Sequence, residues 1–171
     1  MLTRRKSMSE QVFLESKDEM EELLQAESVG YLGLSMNGTP YVVPLNYSYS
    51  EGTIIFHCAL EGKKLDFIRT NPLVCFSVGR QAGPVRDHAG GNLCHVDSDS
   101  VICHGTARII EHLEERKIAL NVFNRRFRPD ALDIPMERVE NCGVVEIKIL
   151  EMTGRRERDR KRTYWRYTFH V

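Results

Sequence analysis

The densest chemical signal in the chain is a histidine followed closely by two lysines, His57, Lys63 and Lys64, in the stretch HCALEGKK. An imidazole changes charge near neutral pH and can donate a proton or orient a substrate. Two lysines where a helix opens add positive charge to a place already made positive by unpaired N–H groups and the helix dipole, unless an anion binds there. The alternative for Lys63 and Lys64 is a solvated pair offset by Glu61 and Asp66. For His57 it is a strand histidine hydrogen-bonded to backbone at a subunit contact. His104 and Arg108 repeat the choice further along: near a ligand, or a packed histidine and a surface arginine. The dipeptides His57-Cys58, Cys94-His95 and Cys103-His104 suggest metal ligands. Strand neighbours point to opposite faces, however, and the chain has no HxxxH or CxxC, so no metal is expected.

The elements that must position these groups centre on Pro40–Pro72. Tyr41, Val43, Leu45, Tyr47 and Tyr49 alternate with Val42, Pro44, Asn46 and Ser48, which predicts a strand. Pro44 cannot donate to a ladder and places that strand at an edge or a bulge. Ser50-Glu51-Gly52 makes a turn into Thr53–Cys58, with Ile54, Phe56 and Cys58 on one face and Ile55 and His57 on the other. A helix then runs from Lys63 to Asn71. Upstream, a helix over 18–27 buries Met20, Leu23 and Leu24, and Asn37-Gly38 turns a strand at Val29–Met36 into the next one. Downstream come a strand at Leu73–Val78, an irregular polar stretch at Arg80–Asp99, and a strand at Ser100–His112. A helix over 114–127 with an Ile118, Val122, Phe123, Phe127 stripe precedes a single turn within Pro135–Asn141 and a strand at Val144–Met152. Trp165, Tyr167, Phe169 and Val171 share one face of a final strand, an aromatic surface expected to pack against the body or a second subunit.

A length of 171 residues fits one domain spanning 1–171, with 1–16 and 154–171 as peripheral ends. Basic and acidic residues number 24 each, so global charge does not point to nucleic acid. The run RRERDRKR after Gly154 mixes signs and reads as a solvated segment. No apolar run is long enough for a membrane span, and the polar start has no apolar signal core behind it. Five widely spaced cysteines read as reduced thiols, and the protein as cytoplasmic.

Taken in order, YVVPLNYSY, EGTIIFHCA, EGKK and IRTNPLVCFSV resemble the flavin-binding split-barrel proteins related to pyridoxamine 5′-phosphate oxidase, and within them the nitroimidazole-resistance (Nim-type) branch. The likeness extends more weakly through Ser100-Val101 and Gly105-Thr106-Ala107 to Glu146–Gly154. It implies a mainly β fold, an antiparallel split β-barrel with Greek-key connections and flanking helices. It also implies FMN as cofactor, laid along the central strands, and a homodimer whose two chains build each pocket. Lys63 and Lys64 would grip the phosphate, with Ser100 near it. Pro44 and Leu45 would offer an apolar wall and free backbone groups, Asn46 an amide for the ring or ribityl chain, and His104 a place beside the cofactor. His57 would be the catalytic proton donor. In the long excursion Cys94 matches a family cysteine, but His95-Val96 and Ser98-Asp99 stand where the family carries an Asp-aromatic pair and Tyr-Arg, which leaves pocket shape and substrate open.

Three function classes follow. A flavin oxidoreductase of the nitroimidazole-reductase type would act on a small electrophilic molecule, with substrate and electron donor unspecified. A flavin carrier or redox sensor would bind without turnover. A nucleic-acid module would use the basic tail, against the neutral overall charge.

Overall fold

The computed structural model describes residues 14–88, 93–159 and 161–170. The expectations placed on residues 1–13 and Val171, and part of those on the 80–99 excursion, lie outside the described residues. The chain runs β1 (Leu14–Glu15), α1 (Asp18–Ala26), β2 (Val29–Met36), β3 (Thr39–Asn46), β4 (Ser48–Ser50), β5 (Thr53–Cys58), α2 (Lys63–Thr70) and β6 (Leu73–Gln81). It continues with β7 (Arg86–His88), β8 (Leu93–His95), β9 (Ser98–Ile109), α3 (Leu113–Phe127), α4 (Met136–Glu140), β10 (Gly143–Arg158) and β11 (Lys161–Thr168).

The main sheet has the order β1-β11-β10-β9-β6-β2-β3, antiparallel except for β1 on β11. Asn37 and Gly38, at φ 50° and 79°, form the tight turn that pairs β2 with β3 from Met36↔Thr39 to Val29↔Asn46. Pro44 lies on β3, the outermost strand at that end, as its missing N–H requires. The expected long hairpin of residues 41–58 is split. Only Ser48–Ser50 pairs with β5, while β3 pairs with β2. Tyr47 interrupts the strand because its buried hydroxyl donates to the Leu24 carbonyl at 2.8 Å, anchoring the crossing to α1. Beyond it, β5 pairs with the first half of β10, from Gly143↔Cys58 to Lys148↔Thr53. The sheet therefore curls back around its inner face as a split barrel, without closing.

The interior follows the period-2 pattern of the strands. Leu32, Phe56, Phe76, Val101, Ile147 and Met152 are all buried, capped by Met20, Leu23 and Leu24 of α1 and by Leu65, Phe67 and Ile68 of α2. Gly30 and Gly105 leave room rather than flexibility. A Cβ on Gly30 would lie 2.1 Å from the Phe76 ring, and one on Gly105 2.3 Å from the Lys148 carbonyl oxygen.

A second, smaller core lies outside the barrel. There Ala119 and Leu120 of α3 and Val139 of α4 cover Val144 and Ile110. The apolar stripe expected on α3 is only partly the buried one: Phe123 is in, but Ile118, Val122 and Phe127 are exposed at 65%, 42% and 45%. Small Ala119 lets the helix approach the sheet closely, so the Ala119, Leu120, Phe123 side wins the contact.

The basic run after Gly154 is not free in solvent. It ends β10 and begins β11, paired from Glu151↔Thr168 to Arg158↔Lys161. Trp165 is buried, and Gly154 sits between Met20 and the Trp165 ring. Phe169 packs on Gly52, so the aromatic face meets the body as expected. Asp99, also buried, receives Arg80, Arg156 and Arg158. Burial opposes its ionisation, but Arg158 and Arg156 outweigh that and hold the carboxyl below its ordinary value. In the 80–99 excursion β7 pairs with β8, and buried Asp97 ties it down through Arg86, His95 and the Asp159 N–H.

Candidate functional site

His57 sits near the end of β5, opposite Val144 of β10, with its side chain on the barrel's outer surface. Its ring meets Phe123 of α3 edge-on, centroids 4.7 Å apart and planes at 90°. Partial burial, and then the Lys64 charge, push the imidazole below its ordinary value. His57 thus favours its neutral form and stands close enough to Lys64 to feel it. His57 also lines a cavity of about 310 Å³, together with Leu120, Phe123, Asn124, Ile134, Arg138, Asn141 and Cys142.

Lys63 and Lys64 occupy the first turn of α2, entered through Gly62 at φ 135°, a conformation that favours glycine. The Gly62 carbonyl accepts the N–H groups of Leu65 and Asp66, leaving those of Lys63 and Lys64 without an acceptor among the described residues. The proposed offset by Asp66 does not occur, because that carboxylate pairs with Arg69 at 3.2 Å. Neither lysine has a carboxylate partner among the described residues. Lys63 instead lies over the Tyr41 ring at 4.6 Å, and Lys64 is 5.9 Å from the Phe56 ring. Two cations without a carboxylate partner and two free N–H groups at one helix start are an arrangement that can attract an anion.

Ser100 and His104 lie elsewhere, on the outward face of β9, in a groove of about 490 Å³ shared with Ile102, Glu151, Thr153, Arg155, Tyr164 and Arg166. Register explains the groove. His104 stands opposite Glu151, Ile102 opposite Thr153, and Ser100 opposite Arg155, with Arg166 and Tyr164 next across on β11. The same outward face continues through Ser77 and Tyr31 to Pro44, three aligned positions on β6, β2 and β3. Leu45 turns inward against the core, and Asn46 spends an amide hydrogen on the Ser28 carbonyl at 2.9 Å. Within one chain, His57 and Lys64 come together. Ser100, His104 and Pro44 share the sheet's outward face, a separate surface.

The paired dipeptides do point apart: Cys103 is buried and His104 exposed, Cys94 exposed and His95 buried. Sequence reasoning missed the cavity behind His57, whose Asn124, Arg138, Asn141 and Cys142 come from α3, α4 and the turn after it. It also missed Arg155, Tyr164 and Arg166. The only local signals were Phe123 in an apolar stripe and a short turn at 135–141.

A family model described as pyridoxamine 5′-phosphate oxidase matches residues 16–156, most of the chain. The chain belongs to the pyridoxamine 5′-phosphate oxidase family. A solved relative, a candidate 5-nitroimidazole antibiotic resistance protein of Bacteroides thetaiotaomicron, is 26% identical, with a TM-score of 0.72 over 84% of this chain and 85% of that one. An FAD-binding protein of Mesorhizobium loti is 25% identical, with a TM-score of 0.60 over 84% and 96%. A flavocytochrome of Azotobacter vinelandii has a TM-score of 0.72 at 17% identity over 92% and 80%, a likeness of fold. In sequence alone, an uncharacterised protein of Rhizobium meliloti (strain 1021) is 28% identical over 67 residues. That match covers 39% of this chain and 44% of the relative's length.

Proposed function

We propose that the protein is an FMN-dependent oxidoreductase of the nitroimidazole-reductase type, acting on a small electrophilic molecule as a homodimer in the cytoplasm. The observation that carries this reading is the unpaired Lys63–Lys64 cradle at the start of α2, with His57 beside it. Bound FMN would supply the electrons. The lysines and the two free N–H groups would hold its phosphate. His57 would donate a proton to the acceptor or orient it, with Phe123 packed edge-on against the imidazole.

The homodimer is favoured by the separation of the two surfaces. A cofactor touching both the cradle and the Ser100–His104 face would take one from each protomer. The outward sheet face also carries exposed Val29, Tyr31, Val42, Leu73 and Ile102, the kind of apolar surface a subunit contact covers. Nucleic acid is a poor partner for the basic run, since Arg155 and Arg162 pair with Glu157, and Arg156 and Arg158 with Asp99. Reduced thiols suit the cytoplasm, as all five cysteines are free.

The test begins with the absorption spectrum of the purified protein and identification of the released flavin. Replacing Lys63 and Lys64 together by alanine should weaken FMN far more than riboflavin, which lacks the phosphate. Equal loss for both would sink the cradle. Bleaching of the bound flavin by NADH or NADPH, followed by reoxidation with a nitroaromatic, separates an enzyme from a flavin carrier or sensor.

A further inference from the structure

The cavity behind His57 has a composition of its own. Leu120, Phe123 and Ile134 supply apolar walls, and no acidic side chain lines it. Arg138 stands at its rim and differs from every other arginine on or beside α3 and α4. Arg116 donates to the Ile110 and Val139 carbonyls, Arg125 pairs with Asp133, Arg126 donates to the Gln25 carbonyl, and Arg128 pairs with Asp130. Arg138 has no side-chain hydrogen bond or ion pair among the described residues. An unpaired guanidinium beside an apolar pocket suits a planar anion, which it can hold through two parallel hydrogen bonds.

Size narrows the ligand. A cavity of about 310 Å³ lies at the small end of ligand sites, too small to enclose a flavin nucleotide and suited to one substituted ring. His57 lines this cavity and also feels the Lys64 charge, so it is the group that the cavity shares with the neighbourhood of the lysine pair.

We propose that this cavity is the acceptor pocket and that it selects a single-ring aromatic carboxylate, with Arg138 binding the carboxylate and the ring lying among Leu120, Phe123 and Ile134. The assignment as acceptor rests on the function proposed above. Selective binding of the carboxylate does not.

The test is calorimetric binding of 4-nitrobenzoate and the near-isosteric, neutral 4-nitrobenzamide to the full chain as purified. The benzoate should bind about tenfold more tightly, and Arg138→Gln should abolish that preference while leaving the benzamide unchanged. Ile134→Trp, which fills the cavity, should weaken both probes while circular dichroism stays native. Equal affinity for the two probes would overturn the proposal. So would a preference that survives Arg138→Gln, or one lost only when Lys63 and Lys64 become alanine. Should the protein hold no flavin yet keep an Arg138-dependent preference, the pocket stands and the oxidoreductase reading falls. Flavin binding without that preference gives the reverse result.

Discussion

Two influences, partial burial first and then the Lys64 charge, lower the pKa of His57 and favour its neutral form. Both lower its pKa, so the stability gained from the neutral ring is present above the ordinary value of 6.5 and lost as pH falls below it toward the folded value. An NMR titration of His57 should therefore find a midpoint below 6.5. Lys64→Gln removes one of the two causes, and the midpoint should rise while staying below 6.5, because burial remains. An unmoved midpoint would separate the two side chains. His57→Gln keeps hydrogen bonding but cannot shuttle a proton, so stopped-flow turnover of an acceptor should fall about 10²–10⁴-fold with flavin still bound. Turnover at the parent rate would make His57 structural.

The central element is β10, which pairs with β9 along nearly its whole length and, on its other edge, first with β5 and then with β11. The close approach of β9 to β10 depends on Gly105, where a Cβ would meet the Lys148 carbonyl oxygen at 2.3 Å. Backbone on that side cannot swing away as a side chain could, and a ladder irregularity already follows between Ile149 and Glu151. Gly105→Ala should cost toward the upper end of roughly 1–3 kcal/mol, read as a lower urea midpoint. A midpoint equal to the parent's would mean that the two strands separate freely there.

At the scale of the molecule, the described residues cover one part of the barrel's outer surface and not the other. α3 and α4 cover the outer surface of β5 and the start of β10, whereas the outward sides of β3, β2, β6 and β9 have no such cover among the described residues. Sedimentation should give a dimer for the parent protein. Val42→Glu, at a position 62% exposed, places a charge on this face without disturbing the core. It should shift the protein toward monomer and loosen the flavin together, if each pocket needs both chains. A flavin-loaded monomer would refute the shared pocket.

The sequence by itself determined what depends on neighbours along the chain. Asn37, Gly38 and Gly52 are residues that tolerate positive φ, so both hairpin turns were legible. Alternation placed His57 on the face opposite Phe56, and Gly62 marked the entry of α2 in front of the lysine pair. The apolar residues of α1 and α2 were visible by helical period. Only the tertiary structure decided which side of α3 is buried, since two apolar stripes compete there and small Ala119 favours one through close packing. It split the central strand at Tyr47, through a hydroxyl bonded to a carbonyl on α1 far away in sequence. It turned a charge run that reads as solvated into a paired hairpin, because Asp99 and Glu157 take up the arginines. It also brought Arg138, Asn124 and Cys142 to His57. Contacts between elements distant in sequence leave no periodic trace along the chain, so that pocket exists only once the barrel has folded.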